Sequence, residues 1–133
     1  MAAMPLEMIE ARSLTSRLST ASFLVDGEGT LLYFNDAAGE LLGVSFAEAG
    51  RMESGTWGTS FRPREPGGRE LPLGELPLVI AVQSGQPAYA RMRITAADGT
   101  DRDIEVAALP IMGGDSQAGA LAIFWPVHEG DAS

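Results

Sequence analysis

Two Asp-Gly turns, each lying between short runs rich in β-formers, constrain this chain more than any other feature. In FLVDGEGTLLYFNDAAGELLG, residues 23–43, the apolar run 23–25 meets Asp26-Gly27-Glu28-Gly29, and a second run, 31–34, follows. In the last third, AYARMRITAA (88–97) and DRDIEVAALPI (101–111) flank Asp98-Gly99-Thr100. Glycine reaches the positive φ that tight turns demand, so each stretch reads as an antiparallel β-hairpin. Ile104, Val106 and Ala108 alternate with Asp103, Glu105 and Ala107, the period-two pattern of a strand with one buried face. Met112-Gly113-Gly114-Asp115-Ser116 then turns the chain. The nearly all-apolar run AGALAIFWPV (118–127) predicts a strand at the centre of a sheet, buried on both faces.

Helical signals fill the rest. Residues 5–19 read as a helix, with Pro5 in the first turn and Glu7 and Glu10 complementing its N-terminal dipole. Met4, Met8, Ala11, Thr15 and Leu18 form one stripe along it. That stripe packs either on the domain's own sheet or against a second subunit. Asn35-Asp36 precede Ala37-Ala38-Gly39-Glu40-Leu41-Leu42, a short helix with an Asn or Asp cap and Gly43 at its exit. Residues 45–75, rich in Gly, Pro and charge, predict short helical turns and loop, with Trp57 and Phe61 as isolated anchors. A helix over 78–84 follows Pro77, ends at Gly85 and is expected to bury Leu78, Ala81 and Val82. Helix, two strands, short helices and three strands make an α+β domain. At 133 residues the chain has the length of one domain with a single core. The expected division is a flanking helix over 1–20, the domain over 21–128 and a tail over 129–133.

Composition removes most chemistry. A net charge of −9 argues against nucleic acid, whose binding needs clustered cations, and reads as solubility. Without cysteine there is no disulfide, thiolate metal site or thiol nucleophile. All nine cations are Arg, which removes the phosphate-loop lysine and every Schiff base. The bias toward Ala, Gly and Arg fits a GC-rich genome. The first twenty residues contain no long apolar region, and 118–127 is far too short to span a bilayer. A cytoplasmic protein without a membrane segment is expected. Gly43-Val44-Ser45-Phe46-Ala47 approaches a nucleophile elbow but lacks its last glycine and follows a helix rather than a strand. His128 is the one histidine available as a base. Asp101, Asp103 and Glu105 alternate along one strand face, which reads as a solvated surface rather than a metal cage. No glycine-rich dinucleotide fingerprint is present. No catalytic residue and no metal site are expected.

The ordered set of motifs resembles a PAS domain, the sensory module of many signalling proteins. FLVDGEGTLLYFNDAAGELLGVSFAEAG resembles the PAS opening: a hairpin, Asn35 closing the second strand, a two-alanine helix start, Leu41-Leu42-Gly43, then Glu48 and Gly50. LPLGELPLVIAVQSGQP is similar to the helix before the third PAS strand. ADGTDRDIEVAALPIMGGDSQAGALAIF resembles the closing strands, with Pro110 late in the fourth and Gly119 entering the fifth. The likeness covers about residues 21–127.

The resemblance implies a five-stranded antiparallel sheet with short helices covering one face, around a core or a ligand pocket. The N-terminal helix lies on the other face or pairs with a partner's. PAS domains that form a flavin adduct need a cysteine, and so does the photoactive yellow protein type; both mechanisms are excluded here. Haem-binding PAS domains usually supply a histidine from the helices or nearby strands. His128 lies beyond the last strand, so no haem is expected; composition leaves non-covalent flavin open but nothing argues for it, and no cofactor is expected. The resemblance implies one of two non-enzymatic roles. A sensor would bind a small apolar or amphipathic ligand through Tyr33, Trp57, Phe61, Val82, Met92, Ile104 and Phe124, with Arg91 or Arg93 meeting a carboxylate. A dimerisation or protein-interaction module would instead have a filled core, with Leu14, Leu18, Ile123 and Trp125 facing a partner in a homodimer. Many PAS domains end in an Asp-Ile-Thr type sequence leading into a signalling helix. Here Pro126 interrupts pairing and Gly130 continues a helix poorly. The signal is therefore expected to leave through the N-terminal helix, a signalling partner or an output domain.

Overall fold

Both Asp-Gly turns close hairpins in the computed structural model, which describes residues 6–113 and 116–127. Strand β1 (Ala21–Asp26) pairs antiparallel with β2 (Leu31–Phe34). The Asp26 carboxylate accepts the Glu28 and Thr30 backbone N–H groups at 2.9 and 3.0 Å, and Gly29 takes a φ of 86°. In the second hairpin, β3 (Ala88–Thr95) pairs with β4 (Asp101–Gly113). There Asp98 accepts the Thr100 N–H at 2.9 Å and Gly99 takes a φ of 88°. An aspartate that captures the N–H two residues on, followed by a left-handed residue, is how each turn closes. Strand β5 (Ser116–Pro126) pairs antiparallel with both β1 and β4, giving the order β2-β1-β5-β4-β3. The nearly all-apolar strand is therefore central, and the sheet has five antiparallel strands, as expected; β5 is not buried on both faces, since Leu121 and Ile123 are half-buried and Trp125 is exposed.

The prolines fit this ladder. Pairing of β4 with β3 stops at Ala108, so the missing N–H of Pro110 costs that ladder nothing. Strand β5 ends at Pro126, but pairing does not stop there: the Val127 N–H still donates to the Asp103 carbonyl at 2.9 Å. Met4, Pro5, the Gly114-Asp115 turn, His128, Gly130 and the expected tail over 129–133 lie outside the described residues.

One face of the sheet is covered by α2 (Asp36–Leu42), α3 (Phe46–Ala49), α4 (Ser54–Ser60), a 3-10 turn at Leu73–Glu75 and α5 (Pro77–Ser84). Pro77 begins α5 and Gly85 closes it in the left-handed conformation, as expected. Its buried side is Pro77, Leu78, Val79 and Ala81; Val82 is only half-buried. Phe23 stacks on Phe34 at 5.9 Å and meets the edge of Trp57 at 5.3 Å, at the centre of the main core.

Helix α1 (Leu6–Arg17) lies on the opposite face. Met8 is fully buried with Leu24 and Leu32, and Ala11, Ile111, Ala118 and Leu121 pack around them. Of the two placements left open for its stripe, Met8, Ala11 and Thr15 take the one on the domain's own sheet. Gly119 makes room for it. A Cβ at that position would collide with the Val25 carbonyl oxygen and the Met8 methyl group.

Asn35 joins these layers. Its Oδ1 accepts the Ala38 N–H at 3.0 Å, capping the start of α2, and the Ser22 N–H of β1 at 3.1 Å. Its Nδ2 donates to the carbonyls of Thr15, Leu18 and Thr20 at 3.2, 3.2 and 2.9 Å, satisfying the end of α1 and the chain leading into β1. Asn35 is 3% exposed, and removing it takes the partner from the Ala38 and Ser22 N–H groups and the Leu18 carbonyl, while the Thr15 carbonyl keeps the Leu18 N–H and the Thr20 carbonyl keeps the Ser22 hydroxyl. Asn35→Ala is expected to cost about 2–4 kcal/mol in urea unfolding. Amide exchange in α1 should accelerate more than in β4.

Candidate functional site

The cavity under the helices is built by Trp57, Phe61 and the sheet. Trp57 sits on α4, and its indole N–H donates to the Gly29 carbonyl at 2.8 Å, pinning that helix over the first hairpin. Gly58 beside it lets Leu73 approach, since a Cβ there would meet a Leu73 methyl group. After α4 the chain turns at Arg62, which holds a φ of 46°, and runs along the outer edge of β3. The Thr95 N–H donates to Phe61 at 2.7 Å, and Arg64 and Arg93 exchange backbone hydrogen bonds at 2.9 and 2.8 Å. This segment covers an edge that would otherwise be open to pairing. It also lays Phe61 and Pro63 against the cavity.

The cavity opens to the surface and holds about 80 Å³. Phe23, Met92, Ile94, Ile104, Val106, Ala122 and Phe124 form the sheet side, and Leu42, Trp57, Phe61, Pro63, Leu76, Pro77 and Leu78 form the rest. No acid, base, amide or hydroxyl side chain lines it, and the one indole N–H is already engaged by Gly29. Walls of this kind favour apolar guests. They carry no acid or base side chain, and the Met92 thioether is their one metal-ligating atom.

Comparison with solved structures decides what this arrangement is. The PAS domain of Bordetella pertussis BvgS aligns with a TM-score of 0.61 at 16% identity, over 95% of this chain and 90% of that one. A Rhodobacter sphaeroides LOV protein aligns with a TM-score of 0.72 at 17% identity, over 92% of this chain and 68% of that one. The PAS domain of nitrogen regulation protein NR(II) from Vibrio parahaemolyticus aligns at 0.59 and 21% identity, over 88% and 97%. The chain has the PAS fold. By sequence, no protein-family model and no curated protein matches it.

In this PAS fold, Trp57, Phe61, Met92, Ile104 and Phe124 come together around the cavity. The other expected ligand contacts lie elsewhere. Val82 packs on the core without reaching the cavity. Tyr33 turns toward α1, with the Arg12 guanidinium 4.9 Å from its ring centre. Arg91 is exposed, and Arg93 forks onto Asp103 through Nε at 2.8 Å and Nη2 at 3.3 Å. Both arginines sit on the outer face, because strand alternation opposes them to Met92 and Ile94. Of the residues assigned to a partner, Leu14 is exposed, Leu18 and Ile123 are half-buried, and Trp125 is 37% exposed on the outer face.

The three alternating carboxylates of β4 each have their own partner. The Thr95 hydroxyl donates to Asp101 at 2.8 Å and, with Arg64 at 3.3 Å, holds its carboxyl below the usual range. Arg93 does the same for Asp103. Glu105 is lowered by the Tyr89 hydroxyl at 2.8 Å and by the Trp125 indole N–H. Among the described residues no three His, Cys, Asp or Glu side chains cluster as a metal site. Sequence reading missed the Glu105 clamp, because Tyr89 and Trp125 reach it from two other strands. These carboxyls bind protons less readily folded than unfolded. The stability they contribute is present above the ordinary carboxylate range and lost as pH falls through the lowered values. The urea midpoint should therefore fall as pH drops below about 4, and Asp103→Asn should shrink that fall.

Proposed function

We propose that this chain is a non-enzymatic PAS module of signal transduction that works by protein interaction, with a core close to filled. The carrying observation is the cavity of about 80 Å³, well below the roughly 300–1,000 Å³ of sites for drug-sized ligands and cofactors. That volume is too small for a flavin or a haem, and the Met92 thioether is the one side chain on its walls that could ligate iron. The absence of an acid–base pair or nucleophile in the cavity supports a role without catalysis. A second reading draws on the same walls. A small space lined by apolar groups suits a guest of a few non-hydrogen atoms, so a sensor for a small apolar molecule is the alternative.

Among the described residues no helix is long and apolar enough to cross a membrane, and a cytoplasmic location is part of the proposal. The interaction reading extends to self-association. Leu6 and Leu14 of α1 are 64% and 53% exposed, and Trp125 is exposed on the outer face of the sheet. A homodimer would bury these groups, and a signalling partner or output domain would receive the result.

Native mass spectrometry of freshly purified protein, compared with the denatured mass and a visible absorbance scan, tests the core. The expected outcome is no excess mass of cofactor size and a featureless visible spectrum. A bound mass of that size would move the conclusion to the sensor. For self-association, light scattering after gel filtration should show a dimer, and Leu14→Glu should shift it to monomer with its fold intact.

A further inference from the structure

Helix α1 has a third side, used neither for the sheet nor for Leu6 and Leu14. Ile9, Arg12, Ser13 and Ser16, spaced i, i+3, i+4 and i+7, form a single stripe facing the open edge of β2. Together with Tyr33 and Arg51 they line an open surface cleft of about 380 Å³, within the size range of small-molecule sites. Two elements hold its far wall in place. The Leu31 N–H donates to the Met52 carbonyl at 2.7 Å, which fixes the segment carrying Arg51 against the β2 edge. Phe46 of α3 meets the Tyr33 ring edge-on at 5.2 Å, so the ring stays under Arg12.

We propose that this cleft binds a small soluble oxyanion, a carboxylate or phosphate, between Arg12 and Arg51. Arg12 and Arg51, like Arg17, Arg62, Arg91 and Arg102, have no side-chain ion pair or hydrogen bond among the described residues; what sets these two apart is that they line the same cleft. Ion pairs among the described residues engage Arg64, Arg69 and Arg93 instead. The Arg12 guanidinium lies 4.9 Å from the Tyr33 ring centre, and none of its N–H donors is engaged among the described residues, so they are available to an oxyanion. The Ser13 hydroxyl, also without a partner among the described residues, adds a neutral donor on the same stripe. An anion seated there ties α1 to the β2 edge, on the opposite side of the sheet from the apolar cavity. The site is thus independent of whether that cavity holds a guest.

The test is a nuclear magnetic resonance titration of the full chain with inorganic phosphate and, separately, succinate, at constant ionic strength set by sodium chloride. Saturable shifts of the Arg12 and Arg51 Nε–H signals are expected with at least one of the two anions, with Arg17 and Arg62 unmoved. Arg12→Gln and Arg51→Gln should each weaken binding about tenfold or more, while Arg17→Gln leaves it unchanged. Both substituted arginines are exposed, and the backbone spectrum of each variant reports that it is folded. Equal, non-saturating shifts of all arginine signals, or no shift with either anion, would overturn the proposal.

Discussion

The two ends of one carboxamide hold the layers of this domain together. A helix start presents unsatisfied N–H groups and a helix end presents unsatisfied carbonyls, and both are costly when buried. Asn35 meets both needs at once, its oxygen on α2 and its nitrogen on α1 and the chain entering β1. An aspartate could serve only the first, having no donor for the carbonyls. The side chain therefore does more than begin a helix. It sets where the helix on one face ends relative to the helices on the other, with the first hairpin between them.

Shape then distributes the remaining parts. On the α1 face, contact depends on small residues: Gly119 and Ala118 let Met8 settle onto β5. On the other face, large aromatics fill most of the space, and the residual cavity is small because Phe23, Trp57, Phe61 and Phe124 converge on it. The outer face beyond α1 is closed by paired polar groups rather than by packing, with Arg93 on Asp103 and Tyr89 and Trp125 on Glu105. Exposed pairs of this kind contribute little stability singly, but they leave that surface specific in shape and charge. It is a surface suited to recognition.

Local pattern made much of this legible in advance. Asp-Gly turns, alternation along β4, the apolar run of β5 and the proline and glycine bounding α5 are short-range signals, decided within a few residues by φ preferences and burial period. They yielded the elements, the α+β class and the central place of β5; the five residues around the cavity came from the resemblance to a PAS domain. What could not be read locally were the partners. Tyr33 shares an aromatic character with Trp57 and Phe61 yet stacks under Arg12, and Arg93 finds a carboxylate in its own sheet. A side chain's type states what it can bond to, not which neighbour the fold will bring.

The sequence by itself determined the strands, the turns, the small helices and the chemistry that is missing, because these depend on neighbours along the chain and on which residue types are present. Only the tertiary structure decided the size of the cavity, the face taken by α1 and the cleft between Arg12 and Arg51. Each of those depends on distances between segments remote in sequence, set when Asn35, Gly119 and the Leu31–Met52 bridge bring the layers into contact.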